Sequence, residues 1–272
     1  MEPQLSGRRR TEARNPRARG LAGFTTRDIL ELMNDEDATV ASAVRVALPE
    51  IERAVEAIVA AIAKGGHVLY VGAGTSGRLG VLDASEAPPT FGVEPDVFYG
   101  VIAGGDAALR SSIEGAEDDH VAGRRDVARL VRRDDVIVGI SASGRAPYVL
   151  GALEAGEHVA SAKIGLTCDA DSPLARAADV PIVVDVGPEI IAGSSRLKAG
   201  TATKLVLNML STTAMIRSGR TRGDLMIDLR PTNAKLRARA VRIVSDETGV
   251  GEDEARARLE AAGWSVRKAL GG

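Results

Sequence analysis

Three stretches of this 272-residue chain combine glycine with hydroxyl side chains in a way that suits an anionic ligand. The first, Gly72-Ala-Gly-Thr-Ser-Gly-Arg78, follows an apolar run and opens a helical pattern. Its glycines let backbone N–H groups approach an anion at a helix N-terminus, and Thr75 and Ser76 add hydroxyl donors suited to a phosphate monoester. Formally the stretch is G-x-G-x-x-G, the fingerprint of a dinucleotide site. The hydroxyls argue against that reading. So does the next apolar run, which ends in Ala103-Gly104-Gly105 without an acid to hold a ribose. A tight turn with no ligand is the bland alternative. The second stretch, Ser141-Ala-Ser-Gly-Arg-Ala-Pro147, presents serines and backbone donors in the same setting. A nucleophilic serine elbow would need G-x-S-x-G; Gly139-Ile-Ser141-Ala-Ser143 lacks the final glycine, and no acid–histidine pair accompanies it. The third, Gly193–Thr201, opens a long helical pattern with Ser194, Ser195 and Lys198. Together these loops nominate Gly74, Thr75, Ser76, Gly77, Arg78, Ser141, Ser143, Gly144, Arg145, Ser194, Ser195 and Lys198 as contacts of a sugar phosphate.

Two glutamates that the family resemblance given below singles out have distinctive neighbours. Glu86 is followed by Ala87, Pro88 and Pro89, which suggests a stiff apolar loop that would keep its carboxyl protonated. Glu117 stands among Glu114, Asp118 and Asp119; on a helix only one or two of these can face a site. A solvated acidic helix start is the alternative for that group.

The elements that position these loops are legible from hydropathy. Short apolar runs at His67–Val71, Val97–Ala103, Asp135–Ile140, Lys163–Thr167 and Pro181–Val186 read as buried strands. Helical stretches such as Val121–Val131 and Tyr148–Glu157 lie between them. Continuous apolar runs separated by helices indicate a parallel sheet covered on both faces. The expected fold is α/β: a doubly wound five-stranded parallel sheet in a three-layer αβα arrangement, with ligands beyond the carboxyl ends of the strands. Upstream, Asn34 and Asp35 suit the cap of a segment towards Leu48, and Pro49 suits the first turn of the next helix. There Ile51, Val55, Ile58, Val59 and Ile62 share a face, and Gly65-Gly66 ends it. Residues 1–23 read as a flexible arm in which Arg8, Arg9 and Arg10 are solvated. Residues 24–230 read as the sugar-phosphate domain with its flanking helices. Residues 231–272 read as C-terminal helices, with two short ones around Gly263-Trp264 similar to the ubiquitin-associated module.

Composition removes several function classes. A formal net charge of −2 and 3% aromatic residues disfavour nucleic acid and anionic membranes as partners. Cys168 is the single cysteine, so an intrachain disulfide and a cysteine-rich metal site are excluded. His67, His120 and His158 are scattered, and no metal site is expected. No apolar run is long enough to span a bilayer, and no secretory signal opens the chain, so a cytoplasmic location is expected.

Gly72–Arg78 and Ser141–Pro147 resemble the sugar isomerase (SIS) family of phosphosugar-binding domains, which is also related to the glucokinase regulatory protein. Gly72–Gly92, Ile102–Gly105, Glu114–Asp118, Gly193–Thr201, Lys204–Thr212 and Thr11–Pro16 resemble, within it, the N-acetylmuramic acid 6-phosphate etherase family. That resemblance implies a lyase of peptidoglycan recycling that cleaves the D-lactyl ether with water. The products would be N-acetylglucosamine 6-phosphate and D-lactate, formed by elimination and then hydration without a cofactor. It implies Glu86 as proton donor to lactate, Glu117 as base at carbon 2, and a homodimer in which the Asp37–Lys64 helices are plausible interface elements. The chain departs from the family pattern at Ala146, where threonine is usual, and at Ala87, where cysteine is usual. It also stops about one helical pair sooner than is usual there. A sugar-phosphate isomerase should lack Ser85–Pro89. A non-catalytic phosphosugar regulator has no need of both glutamates, and a transcription regulator would need a basic helix-turn-helix that neither end supplies.

Overall fold

The computed structural model describes residues 10–271. Strands β1 (Val68–Gly72), β2 (Phe98–Ile102), β3 (Val136–Ile140), β4 (Ala162–Thr167) and β5 (Val180–Val183) form one parallel sheet in the order β2-β1-β3-β4-β5. β1 and β3 are buried at every position. That is why their sequences are unbroken apolar runs rather than alternating ones. Successive side chains leave the sheet on opposite faces. Tyr70 and Val138 join one core with Ile51, Ile58, Leu207 and Leu210. Leu69, Val71 and Ile137 join the other with Val127, Val149 and Leu153.

The helices are α1 (Thr26–Ala38), α2 (Val40–Val46), α3 (Leu48–Ala63), α4 (Gly74–Phe91), α5 (Ala107–Arg110), α6 (His120–Ala128), α7 (Pro147–Ala155), α8 (Pro173–Ala177), α9 (Lys198–Arg217), α10 (Ala234–Thr248), α11 (Glu252–Ala261) and α12 (Val266–Ala269). α3, α4 and α9 cover the first face, and α6, α7 and α8 the second. The doubly wound sheet is therefore as expected. Its winding reverses between β1 and β3, which pair with Gly72 opposite Ile140. Both strands end at this switch point, where a crevice opens.

Two upstream expectations change. Asn34 and Asp35 lie inside α1 rather than capping a later helix. The cap is Thr25, whose hydroxyl accepts from the Asp28 N–H while the Asp28 carboxylate accepts from the Thr25 N–H. Pro49 does fall in the first turn of α3. Residues 10–23 are not a solvated arm: they form three 3₁₀ turns, and Asn15 is buried, donating through Nδ2 to Pro188 O at 3.2 Å. The basic cluster at Arg8, Arg9 and the Arg10 side chain lies outside the described residues.

At the other end, α10, α11 and α12 enclose a separate small core of Val241, Val244, Leu259 and Val266. Ile227 and Leu229 belong to that core, so this unit begins before residue 231. Arg267 fixes it to the preceding chain through two bonds to the Asp228 carboxylate, 2.7 and 2.6 Å. Among the described residues no helix is long and apolar enough to cross a membrane.

Candidate active site

The crevice at the switch point is a cavity of about 250 Å³. From the end of β1 it takes Ala73, Gly74, Thr75 and Ser76; from the end of β3, Ile140, Ser141, Ala142, Ser143 and Ala146. The first turns of α4 and α7 open onto it, an arrangement that directs unpaired backbone N–H groups and the positive ends of both helix dipoles into the cavity. Among the described residues no lysine or arginine lines it. The described lining offers an anion amide and hydroxyl donors. Two glycines outside the lining make the turn possible. A Cβ on Gly72 would lie 2.6 Å from Gly77 N, and one on Gly77 would lie 2.7 Å from Gly72 O. The end of β1 and the start of α4 touch backbone to backbone.

Glu117 also lines the cavity, from the 3₁₀ turn Ala116–Asp118. It belongs equally to an adjoining cavity of about 240 Å³ that shares Ala73 and Gly74 and contains Glu114, Asp118 and Arg78. Of the acidic cluster at 114–119, Glu117 alone reaches both spaces. Asp119 instead caps α6, accepting from the Ala122 N–H at 2.8 Å.

Other nominated residues fall elsewhere. Arg78 turns away from the main cavity and donates to Leu109 O at 3.2 Å and Ser111 O at 3.4 Å, tying α4 to the segment that leads to Glu117. Arg145 pairs with Asp169 at 3.1 Å, outside the lining. Gly144, with φ +62°, packs against Ser172 and Thr167. Ser195 reaches the cavity; Ser194 does not. Lys198 is buried, with Nζ 2.6 Å from Glu36 Oε2, and its place in the loop is structural. The carboxylate of Glu189 accepts the backbone N–H groups of Lys198 and Ala199, both at 3.0 Å, and so closes the start of α9.

Glu86 corrects the loop expectation most clearly. It sits inside α4, which continues through Pro88 and Pro89 to a left-handed cap at Gly92. Its side chain is exposed, on the same helix face as exposed Leu82. At 1.5 Å per residue, about 16 Å of helix axis separates it from Thr75, so it does not face the cavity of its own chain.

The cavity residues absent from the nominated set include two with polar side chains from the N-terminal segment. Thr11 and Glu12 cross the mouth from the N-terminal segment, where Gly193 N–H donates to Thr11 O at 3.0 Å. The signal that could have found them was the quoted Thr11–Pro16 stretch.

Comparison with known proteins gives the following. The glucokinase regulatory protein N-terminal SIS domain family matches residues 50–157, and the SIS domain family matches residues 118–213. A Bacillus licheniformis protein named N-acetylmuramic acid 6-phosphate etherase 1 is 48% identical over 271 residues, covering 99% of this chain and 89% of its own length. A Streptomyces coelicolor protein named N-acetylmuramic acid 6-phosphate etherase is 51% identical over 261 residues, covering 96% and 84%. Among solved structures, a Francisella tularensis phosphoheptose isomerase superposes with a TM-score of 0.55 at 21% identity, over 71% of this chain and all of its own (100%). That last likeness concerns the fold.

Proposed function

The chain belongs to the N-acetylmuramic acid 6-phosphate etherase family, and from that premise we propose which of its groups perform each step. It is a lyase that cleaves N-acetylmuramic acid 6-phosphate at the lactyl ether, giving N-acetylglucosamine 6-phosphate and D-lactate. An unactivated ether resists hydrolysis. In the open-chain sugar, however, the carbon 1 aldehyde acidifies the carbon 2 hydrogen, and the ether oxygen at carbon 3 lies β to that carbonyl. Removal of the hydrogen and protonation of the departing lactate then break the bond, and water adds to the unsaturated aldehyde. The chemistry calls for a base and an acid at adjacent carbons.

One observation carries the assignment: both hydroxyl loops and Glu117 share one cavity. Thr75, Ser76, Ser141 and Ser143 with the N-termini of α4 and α7 receive the 6-phosphate, and Glu117 takes the carbon 2 proton. Glu86 is the proton donor to lactate and comes from a second copy of the chain, since its own helix carries it away from its own cavity. The face that α3 and α9 present is suited to that pairing. A groove of about 650 Å³ lined by Leu48, Ile51, Val55 and Met209 runs along it, and Val46 and Ile216 nearby are exposed. A phosphorylated substrate and a free, buried Cys168 fit a cytoplasmic site of action.

Heavy water tests the roles. Wild type should place deuterium at carbon 2 of the product. Glu117→Gln should suppress lactate release and carbon 2 exchange by about 100- to 10,000-fold. Glu86→Gln should suppress release yet permit exchange in unreacted substrate. Normal exchange in Glu117→Gln with none in Glu86→Gln would reverse the two roles.

A further inference from the structure

Up to the loss of lactate the reaction needs three proton movements, and the two glutamates above account for two. The remaining one is opening of the sugar ring, which must precede removal of the carbon 2 hydrogen. Among the described residues lining the cavity, Glu12 and Glu117 are the two that carry a carboxyl group. Glu12 stands in the main cavity and not in the adjoining one, whereas Glu117 belongs to both. A hexose 6-phosphate anchored by its phosphate places carbon 2 across the ring from carbon 5. With Glu117 at carbon 2, one edge between the two ends is carbon 3 and carbon 4, the other carbon 1 and the ring oxygen. The lactyl group leaves from the first edge. The adjoining cavity beyond Glu117 has room for it, which turns the second edge towards the main cavity and Glu12.

Glu12 is held there by construction. Gly193, at φ +79°, leaves room that a side chain would fill: a Cβ on it would lie 3.0 Å from a Glu12 carboxylate oxygen. The segment behind Glu12 is fastened at Thr11 O, at Asn15 and at Arg17, whose guanidinium meets Asp35 at 2.7 Å and Glu36 at 3.1 Å. This much fastening places a carboxyl group in the cavity that both hydroxyl-bearing turns line.

We propose that Glu12 is a further catalytic residue, the group that opens the pyranose ring; the proposal rests on the etherase reading. In its protonated form one carboxyl oxygen gives its proton to the ring oxygen while the other accepts the proton of the anomeric hydroxyl. The bond from carbon 1 to the ring oxygen breaks, the carbon 1 carbonyl forms, and the carboxyl ends protonated on its other oxygen. No outside acid, base or oxidant is consumed.

Ring opening and closure interconvert the two anomers of N-acetylglucosamine 6-phosphate, and magnetisation transfer by NMR reads that exchange without lactate chemistry. Wild-type protein should accelerate it. Glu12→Gln should reduce the acceleration by about 100- to 10,000-fold, with the calorimetric Kd for the same sugar phosphate unchanged. Retained acceleration in Glu12→Gln overturns the proposal. Loss of binding in that variant overturns it too, since Glu12 would then only position the sugar. Wild type that releases lactate but leaves anomer exchange at its solution rate sinks the ring-opening role and spares the etherase reading. Absence of both activities sinks the reading it rests on.

Discussion

Lys198 Nζ lies 2.6 Å from Glu36 Oε2, and this buried pair joins the start of α9 to the end of α1 across the base of the N-terminal segment. Glu36 also receives Arg17 at 3.1 Å, so one carboxylate fastens both the α9 loop and the segment that carries Glu12. Burial opposes ionisation of Glu36, but Lys198, Asn15 and Arg17 outweigh it and hold the carboxyl below its ordinary range. Removing one partner of a buried pair leaves the other uncompensated, which costs about 3–5 kcal/mol. Glu36→Gln should therefore lower unfolding stability by that order in urea titrations at pH 7. The folded-state pKa is depressed, so the contribution is present above the unfolded value of about 4 and is lost as pH falls through the folded value. The gap between wild type and variant should narrow on acidification; a constant gap would contradict the pairing.

Ala146 offers a gain-of-function test. It is the N-cap of α7, makes no side-chain capping bond and lines the cavity. Ala146→Thr would add a hydroxyl at the mouth of an anion site. A hydrogen bond to a charged group is worth about 1.5 kcal/mol, so KM for the phosphosugar should fall by about tenfold. Ala146→Val has the same shape without the hydroxyl and should not lower KM. An equal fall in both variants would mean that packing, and not a donor to phosphate, produced it.

Cys168 should be inert in the folded protein. Burial, with Glu189 and Asp169 nearby, pushes its thiol pKa up to about 12. Thiolate is the reactive form, so a disulfide reagent at pH 8 should label the native chain far more slowly than the denatured one. Because the folded value is raised, the neutral thiol favours folding below the unfolded pKa of about 8.5, and that advantage is lost as pH rises towards the folded value. Rapid native labelling at pH 8 would contradict the buried, unshared thiol.

The sheet was readable because Val68–Gly72 and Val136–Ile140 bury both faces, and a two-sided burial leaves an unbroken apolar run. Thr75, Ser76, Ser141 and Ser143 were readable for a local reason: a loop that closes a strand and opens a helix already determines where its hydroxyls point. Three residues were not readable in this way. Lys198 beside two serines looks like an anion ligand, but its partner Glu36 is distant in sequence and no local pattern announces it. Pro88 and Pro89 suggested a loop around Glu86. The helix instead tolerates them near its end, losing only the two N–H bonds they cannot make before Gly92 caps it. Glu12 reaches the site through a segment without periodicity, fastened to Pro188 and Gly193 by long-range contacts alone.

The measurement closest to the centre of this account mixes two disabled enzymes. Glu86→Gln and Glu117→Gln homodimers are each inactive if both glutamates are needed. Unfolded together and refolded, they form hybrid dimers. If Glu86 of one chain serves Glu117 of the other, each hybrid carries one intact site and one doubly altered site. Random pairing then restores lactate release from N-acetylmuramic acid 6-phosphate to about a quarter of the wild-type rate. If both glutamates of a site come from the same chain, every site in the hybrid lacks one of them. Lactate release would then stay at the level of the separate mutants, and that result would contradict the shared site.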